Sequence, residues 1–181
     1  MNMSYSIEIT VAASPDEILA TIRNPRSWWS EGITGSAGAA GDEFDYRYGT
    51  VHDCRVRIAE SGPQRVVWEI LENEFGVVDG EDEWVGTRCV FDLVPGRGST
   101  VLRFTHDGLY PHFSCYDVCS QGWDHYIGSS LAAALTDGGT QRGAHRPDRL
   151  RGVRQIGRMR NHARLKLKSR ASAAPRRLAA V

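Results

Sequence analysis

Residues Tyr5–Val11, YSIEITV, alternate apolar and polar side chains, the period of a strand buried on one face. Ser14-Pro15-Asp16-Glu17 then has the order of a helix start: a capping hydroxyl, proline in the first helical position and acids in the first turn. The spacing predicts a helix through SPDEILATI and a second short helical segment through NPRSWWSEGI, ending at Gly32. TGSAGAAGDE, small and polar, reads as a loop.

From Phe44 the period of two returns and repeats between turns. EFDYRYG places Phe44, Tyr46 and Tyr48 on one face, and VHDCRVRIAE sets Cys54, Val56 and Ile58 against Asp53, Arg55 and Arg57. RVVWEILE groups Val66, Trp68 and Ile70. WVGTRCVFDLV groups Cys89, Phe91 and Leu93, and TVLRFTHDGL groups Leu102, Phe104 and His106. SGPQ and PGRGS supply turns. Successive hairpins of this kind make an antiparallel sheet with one dry and one wet face.

The period changes once more between Ser114 and Leu135. Tyr116, Cys119, Trp123, Ile127, Leu131 and Leu135 advance by three or four, which predicts one long helix with a C-cap at Gly138-Gly139. Strand, short helices, a run of strands and a final long helix make an α+β arrangement. The apolar stripe of the helix has an apolar sheet face to meet.

Composition adds a boundary. The chain has 181 residues, 41% hydrophobic and 24% charged, which suits one globular domain with an extension. Its formal charge of zero is a cancellation: residues 1–138 carry 9 Lys/Arg against 21 Asp/Glu, whereas 139–181 carry 13 against Asp148 alone. The basic stretch has no aromatic residue and too few aliphatic ones to offset its ordering entropy. The expected division is a domain at 1–139 and a basic, disordered tail at 140–181. The tail lacks interleaved aromatics for base stacking, so nucleic-acid or membrane contact is not expected of it. Met1 leads almost at once into the first strand, no run reaches the length of a membrane span, and the four cysteines have no disulfide-framework spacing. The expected compartment is the cytoplasm.

Several stretches resemble the START-like (SRPBCC, helix-grip) superfamily, and within it the group named after the C-terminal domain of the activator of heat-shock-protein-ninety ATPase. They are ITVAASPDEILATIRNPRSWW, VVWEI, TRCVFDLVPGRGSTVLRFTHDGL and CSQGWDHYIGSSLAAAL, within residues 5 to 138. The resemblance implies a curved antiparallel sheet wrapped around the long C-terminal helix, with two short helices after the first strand and a cavity between sheet and helix. The basic tail has no counterpart in that pattern. Its onset where the domain would finish fits a frameshifted or otherwise unselected C-terminus.

Two constellations bear on chemistry. Cys115 and Cys119 share a helical face with His112 and His125 nearby, yet no second cysteine pair backs them, so they read as buried apolar side chains and no metal or cofactor is expected. The aromatics Trp28, Trp29, Tyr46, Trp68, Trp84, Phe91, Phe104, Trp123 and Tyr126 read as core, or as the walls of a ligand chamber. Tyr46, Trp68, Phe91, Phe104 and Trp123 are the candidate walls, with His106 as the polar contact. No nucleophile triad, phosphate loop or carboxylate pair stands out, and Glu81-Asp82-Glu83 reads as a solvated loop.

Three functions follow from this reading. The first is a non-enzymatic domain binding a small hydrophobic ligand. The second is a co-chaperone-like protein-interaction domain activating an ATPase, which an exposed patch near Arg55, Arg57, Val67 and Arg88 would favour. The third is a START-like cyclase or hydrolase using His106.

Overall fold

The computed structural model describes residues 3–76 and 82–136. A single antiparallel sheet of seven strands runs in the order β1-β7-β6-β5-β4-β3-β2. Its strands are β1 (Tyr5–Val11), β2 (Ile33–Gly35), β3 (Glu43–Tyr48), β4 (His52–Ser61), β5 (Arg65–Phe75), β6 (Arg88–Pro95) and β7 (Thr100–Asp107). Between β1 and β2 lie helix α1 (Pro15–Ile22) and a single 3₁₀ turn (Pro25–Ser27). After β7 the chain enters one long helix. It begins as α2 (Tyr116–His125), passes through a π-helical segment (Tyr126–Leu131) and ends as α3 (Ala132–Thr136). This is the α+β helix-grip arrangement: a curved sheet closed around a C-terminal helix.

Local chemistry explains the elements. The Ser14 hydroxyl accepts from Glu17 N, and the Glu17 carboxylate accepts from Ser14 N, a reciprocal cap that satisfies two donors at the start of α1. Ile18, Leu19 and Ile22 of that helix are buried. In the sheet, the predicted dry face is the buried one. Val56 stands opposite Ile70, Ile58 opposite Trp68, and Phe91 opposite Phe104. Two register shifts in the β4–β5 ladder, at Arg55/Val56 and Ile58/Glu60, add the local twist that bends the sheet towards the helix. From the helix, Cys119, Trp123, Ile127 and Leu131 complete the core.

The structure departs from the sequence reading in three places. NPRSWWSEGI forms only the 3₁₀ turn, since Trp28 and Trp29 leave helical geometry to bury both indoles. Thr34 and Gly35, read as loop, extend a short edge strand from Ile33. Trp84 was grouped with the strand that begins at Arg88. It belongs instead to a turn closed by Thr87 N on Trp84 O, with Gly86 at φ +79°, a conformation glycine adopts without strain. The Gly138-Gly139 cap and the tail lie outside the described residues. No described helix is long and apolar enough to cross a membrane.

The wet face is a lattice of charge pairs set by strand register. Glu43 faces Arg57, Asp45 faces Arg55 and Arg47 faces Asp53 across β3–β4. Arg55 also faces Glu72, Arg65 faces Asp92, and Glu8 faces Arg103. Each of these pairs closes as an ion pair at 2.7–3.2 Å.

Candidate functional site

The space between sheet and helix gathers all six residues singled out from the sequence. Tyr46 comes from β3, Trp68 from β5, Phe91 from β6, Phe104 and His106 from β7, and Trp123 from α2, and all are buried. Alternation along each strand points them inward, and antiparallel pairing then sets Phe91 beside Phe104 and Cys89 beside His106. Ring centroids run from Trp68 to Phe91 at 4.7 Å, to Phe104 at 5.0 Å and on to Trp123 at 4.6 Å. Such aromatic contacts contribute about 0.5–1.5 kcal/mol each beyond the area they bury.

Tyr46 joins this chain through a residue outside the predicted set. Trp29, carried in from the 3₁₀ turn, stacks on Tyr46 at 4.5 Å with planes 11° apart and on Trp68 at 5.6 Å and 18°. It also meets Trp123 at 5.5 Å and Tyr126 at 6.4 Å. Trp28 stacks on Trp68 at 6.0 Å, and its Nε1 donates to Thr21 O of α1. The sequence shows two adjacent tryptophans after a proline but not that the turn would drive both into the interior.

His106 occupies one end of this interior and is fully buried. Trp123 Nε1, which can only donate, gives its hydrogen to His106 Nδ1 at 2.9 Å. The ring must therefore carry its proton on Nε2, which donates to Thr87 Oγ1 at 2.8 Å, and that hydroxyl passes its own hydrogen to Trp84 O. Both nitrogens are thus used inside the protein. Burial, helped by the neighbouring His52, pushes the His106 pKa down to about 3, so the ring is neutral near pH 7. It has no free nitrogen for a ligand carbonyl and does not titrate where an acid–base catalyst would. The polar contact expected of His106 is taken up by Trp123 and Thr87.

Trp84 closes the same end. Its ring stacks on Trp123 at 5.8 Å and meets His106 and His52 edge-on at 4.6 and 4.8 Å. Trp84 Nε1 is buried without a hydrogen-bond partner. His52 bonds Asn73 Oδ1 at 2.8 Å and stacks on Phe75 at 4.2 Å, and burial lowers its pKa to about 4.

Glu83, read as part of a solvated loop, has a defined task. Its carboxylate accepts from Ser114 N at 2.8 Å and Cys115 N at 3.0 Å, backbone donors at the start of α2. Burial raises the Glu83 carboxyl, but those hydrogen bonds outweigh it and the net shift is downwards. The turn carrying Trp84 is therefore pinned to the helix. Only three-dimensional proximity, over 31 residues of chain, reveals this cap.

Cys115 and Cys119 lie against each other, and burial pushes the Cys119 thiol up, away from thiolate character. Among the described residues no group of three or more His, Cys, Asp or Glu is placed to hold a metal ion. At the other end of the interior, burial raises the phenols of both Tyr46 and Tyr126. The π-helical segment begins at Tyr126. Its wider turn lets Tyr126 reach the interior next to fully buried Ile127.

No family model matches the chain, and no curated protein matches it in sequence. Solved structures do match in shape. The Aha1 dimer from Colwellia psychrerythraea superposes with a TM-score of 0.62 at 23% identity, over 74% of this chain and 96% of that one. The chain has the START-like helix-grip fold. CalU16 from Micromonospora echinospora shares the fold at a TM-score of 0.53 and 14% identity, over 87% of this chain and 85% of that one. DynU16, a protein of the dynemicin biosynthetic locus, matches at a TM-score of 0.53 and 18% identity, over 74% of this chain and 47% of its own. At such identities the START-like likeness is one of fold, and the site must be read from this chain's own residues.

Proposed function

We propose that this START-like chain binds a small hydrophobic molecule between its sheet and its C-terminal helix. The observation that carries the reading is the convergence of Tyr46, Trp68, Phe91, Phe104 and Trp123 on one interior from four strands and a helix. An apolar, aromatic-walled interior with few polar groups is the ordinary composition of a small-molecule site. The likeness to DynU16, a protein of the dynemicin biosynthetic locus, supports a small-molecule role.

The rival readings draw less support. Catalysis through His106 would need a ring nitrogen free to exchange protons near neutral pH, and both are committed. An ATPase-activating surface was expected near Arg55, Arg57, Val67 and Arg88. There Arg55 and Arg57 are paired across the strands, Arg88 lies 3.9 Å from Glu69, and Val67 is buried. The exposed large hydrophobics of the described residues are Met3, Val85 and Val94, three scattered positions rather than a patch.

Native and denaturing mass spectra of the full chain test the ligand reading. A co-purified apolar molecule that disappears on Trp68→Arg, in a protein that stays folded, supports it. Empty wild-type protein that also takes up no apolar probe would leave the aromatic interior as core alone.

A further inference from the structure

The long helix is held in two different ways along its length. Polar bonds tie its first half to the rest of the protein. Glu83 caps it at Ser114 N and Cys115 N, Trp123 Nε1 donates to His106 Nδ1, and the Tyr5 hydroxyl donates to Asp124 Oδ1 at 2.7 Å. Past Asp124 the pattern changes. Among the described residues, the side-chain hydrogen bonds of the second half close within the helix: Ser130 Oγ with His125 Nε2 at 3.5 Å, and Thr136 Oγ1 to Ala132 O and Ala133 O. What joins this half to β1 and α1 is packing, through Ile127, Leu131 and the half-buried Ala134 and Leu135. Tyr126 leans edge-on against Trp29, with the Tyr46 phenol as its polar neighbour.

The two halves meet at the π-helical segment, Tyr126–Leu131. Cys119, Trp123, Ile127 and Leu131 are spaced by four, and an α-helix would carry each of them about 40° further round than the last. The wider π turn takes up that drift and keeps Ile127 and Leu131 against the sheet. Such turns are rare, and this one contains Gly128-Ser129-Ser130, residues of lower helix propensity than alanine. Neither packing nor backbone conformation asks for glycine at 128. Its φ is outside the left-handed region, and an added Cβ would meet only Ile7 Cδ1, at an ordinary 3.5 Å. Glycine there weakens the helix about two- to fivefold relative to alanine.

We propose that the second half of the helix, residues 126–136, is the door of the aromatic interior and that the π-helical segment is its pivot. When this half swings away from β1 and α1, Tyr126 leaves Trp29 and Tyr46, and an apolar molecule passes in beside them. The first half, tied by its three anchors, stays in place and keeps Trp123 in the wall. This rests on the reading of the interior as a ligand site and adds its entrance. Opening uncovers Ile127 and Leu131, both fully buried, so the door is shut in nearly all molecules and closes again over bound ligand. Stiffening the pivot therefore slows entry and exit alike and leaves affinity unchanged.

Two alanine variants of the full chain separate the pivot from the anchored half. Gly128 lies in the pivot. Gly122 lies in the anchored half, where an added Cβ meets nothing within 4 Å. Both substitutions should raise the urea midpoint, since alanine favours helix at either site. N-Phenyl-1-naphthylamine, an uncharged apolar probe that brightens on leaving water, is mixed with each protein by stopped flow. The expected result is that Gly128→Ala slows uptake and release together, about two- to fivefold, with Kd unchanged. Gly122→Ala should keep wild-type rates. Hydrogen exchange checks the door without any probe. The amides of 127–136 should exchange through one common opening, faster than those of 120–125, and Gly128→Ala should slow that block as a whole. A gradual loss of protection towards Thr136 would be fraying of a helix end and overturns the inference, as does equal protection in both halves. Unchanged probe rates in Gly128→Ala, or equal slowing by Gly122→Ala, overturn it while the ligand reading stands. A protein that takes up no probe, and that mass spectrometry finds empty, loses the ligand reading and the entrance with it.

Discussion

Trp123 Nε1 donates to His106 Nδ1 at 2.9 Å, and this one bond joins the long helix to β7 through the driest part of the protein. It fixes the histidine tautomer and, through Nε2, holds Thr87 and the Trp84 turn in place. His106→Phe keeps a ring but strands the Trp123 N–H, while the Thr87 hydroxyl keeps its bond to Trp84 O and loses only the hydrogen it accepted, a loss of about 1–3 kcal/mol. Trp123→Phe in the same background should cost less than it does alone, by about 0.5–3 kcal/mol, because its partner is already gone. Urea unfolding of the four proteins of the cycle measures this; simple additivity would show that the bond carries no coupling.

Acid should weaken the fold through two neutral histidines. Burial lowers His52 to about 4 and His106 to about 3, against about 6.5 in the unfolded chain. Below pH 6.5 the unfolded state takes up protons that the folded state refuses, so this stabilisation is full above 6.5 and is lost as pH falls towards 4. The slope is about 1 kcal/mol per pH unit for each histidine. Urea midpoints between pH 7 and 5 should show it, and His52→Gln should remove about one proton from the dependence. An unchanged slope in that variant would contradict the assignment.

Glu83→Gln tests the cap on α2. The neutral amide keeps a weaker acceptor but loses the charge that favours a helix N-terminus, a cost of about 1 kcal/mol. Because hydrogen bonding lowers the Glu83 carboxyl, its contribution is present above the ordinary carboxylate range and fades as pH falls through its folded value. Faster hydrogen exchange at the Ser114 and Cys115 amides is the local signature. Unchanged exchange there would show that the cap does not hold the helix start.

The two faces of β4 should respond very differently to alanine. Arg57 pairs with Glu43 in solvent, so Arg57→Ala should leave the urea midpoint close to wild type. Ile58, next in sequence, is fully buried opposite Trp68, and Ile58→Ala should cost about 2–5 kcal/mol. Comparable losses at both positions would contradict the assignment of faces.

Much of this was determined by the sequence alone. A period of two in five strand segments assigned inner and outer residues of β3 to β7, because alternation is a property of the single strand. The stripe from Cys119 to Leu131 named the buried side of the helix for the same reason, and Ser14 and Glu17 announced α1 through a cap only three residues long. Those signals place Tyr46, Trp68, Phe91, Phe104, His106 and Trp123 in one interior. What the interior contains is set by contacts between residues distant in the chain. Trp29 reaches Tyr46, Trp68 and Trp123 only because a 3₁₀ turn swings it across the sheet, and Glu83 finds the start of α2 only through folding. His106 illustrates the limit: alternation turned it inward, but only the indole of Trp123 and the hydroxyl of Thr87 decided that its nitrogens would be occupied. Local periodicity is encoded residue by residue. The partner of a buried polar atom depends on which distant segments pack against it, and that is decided by the tertiary structure.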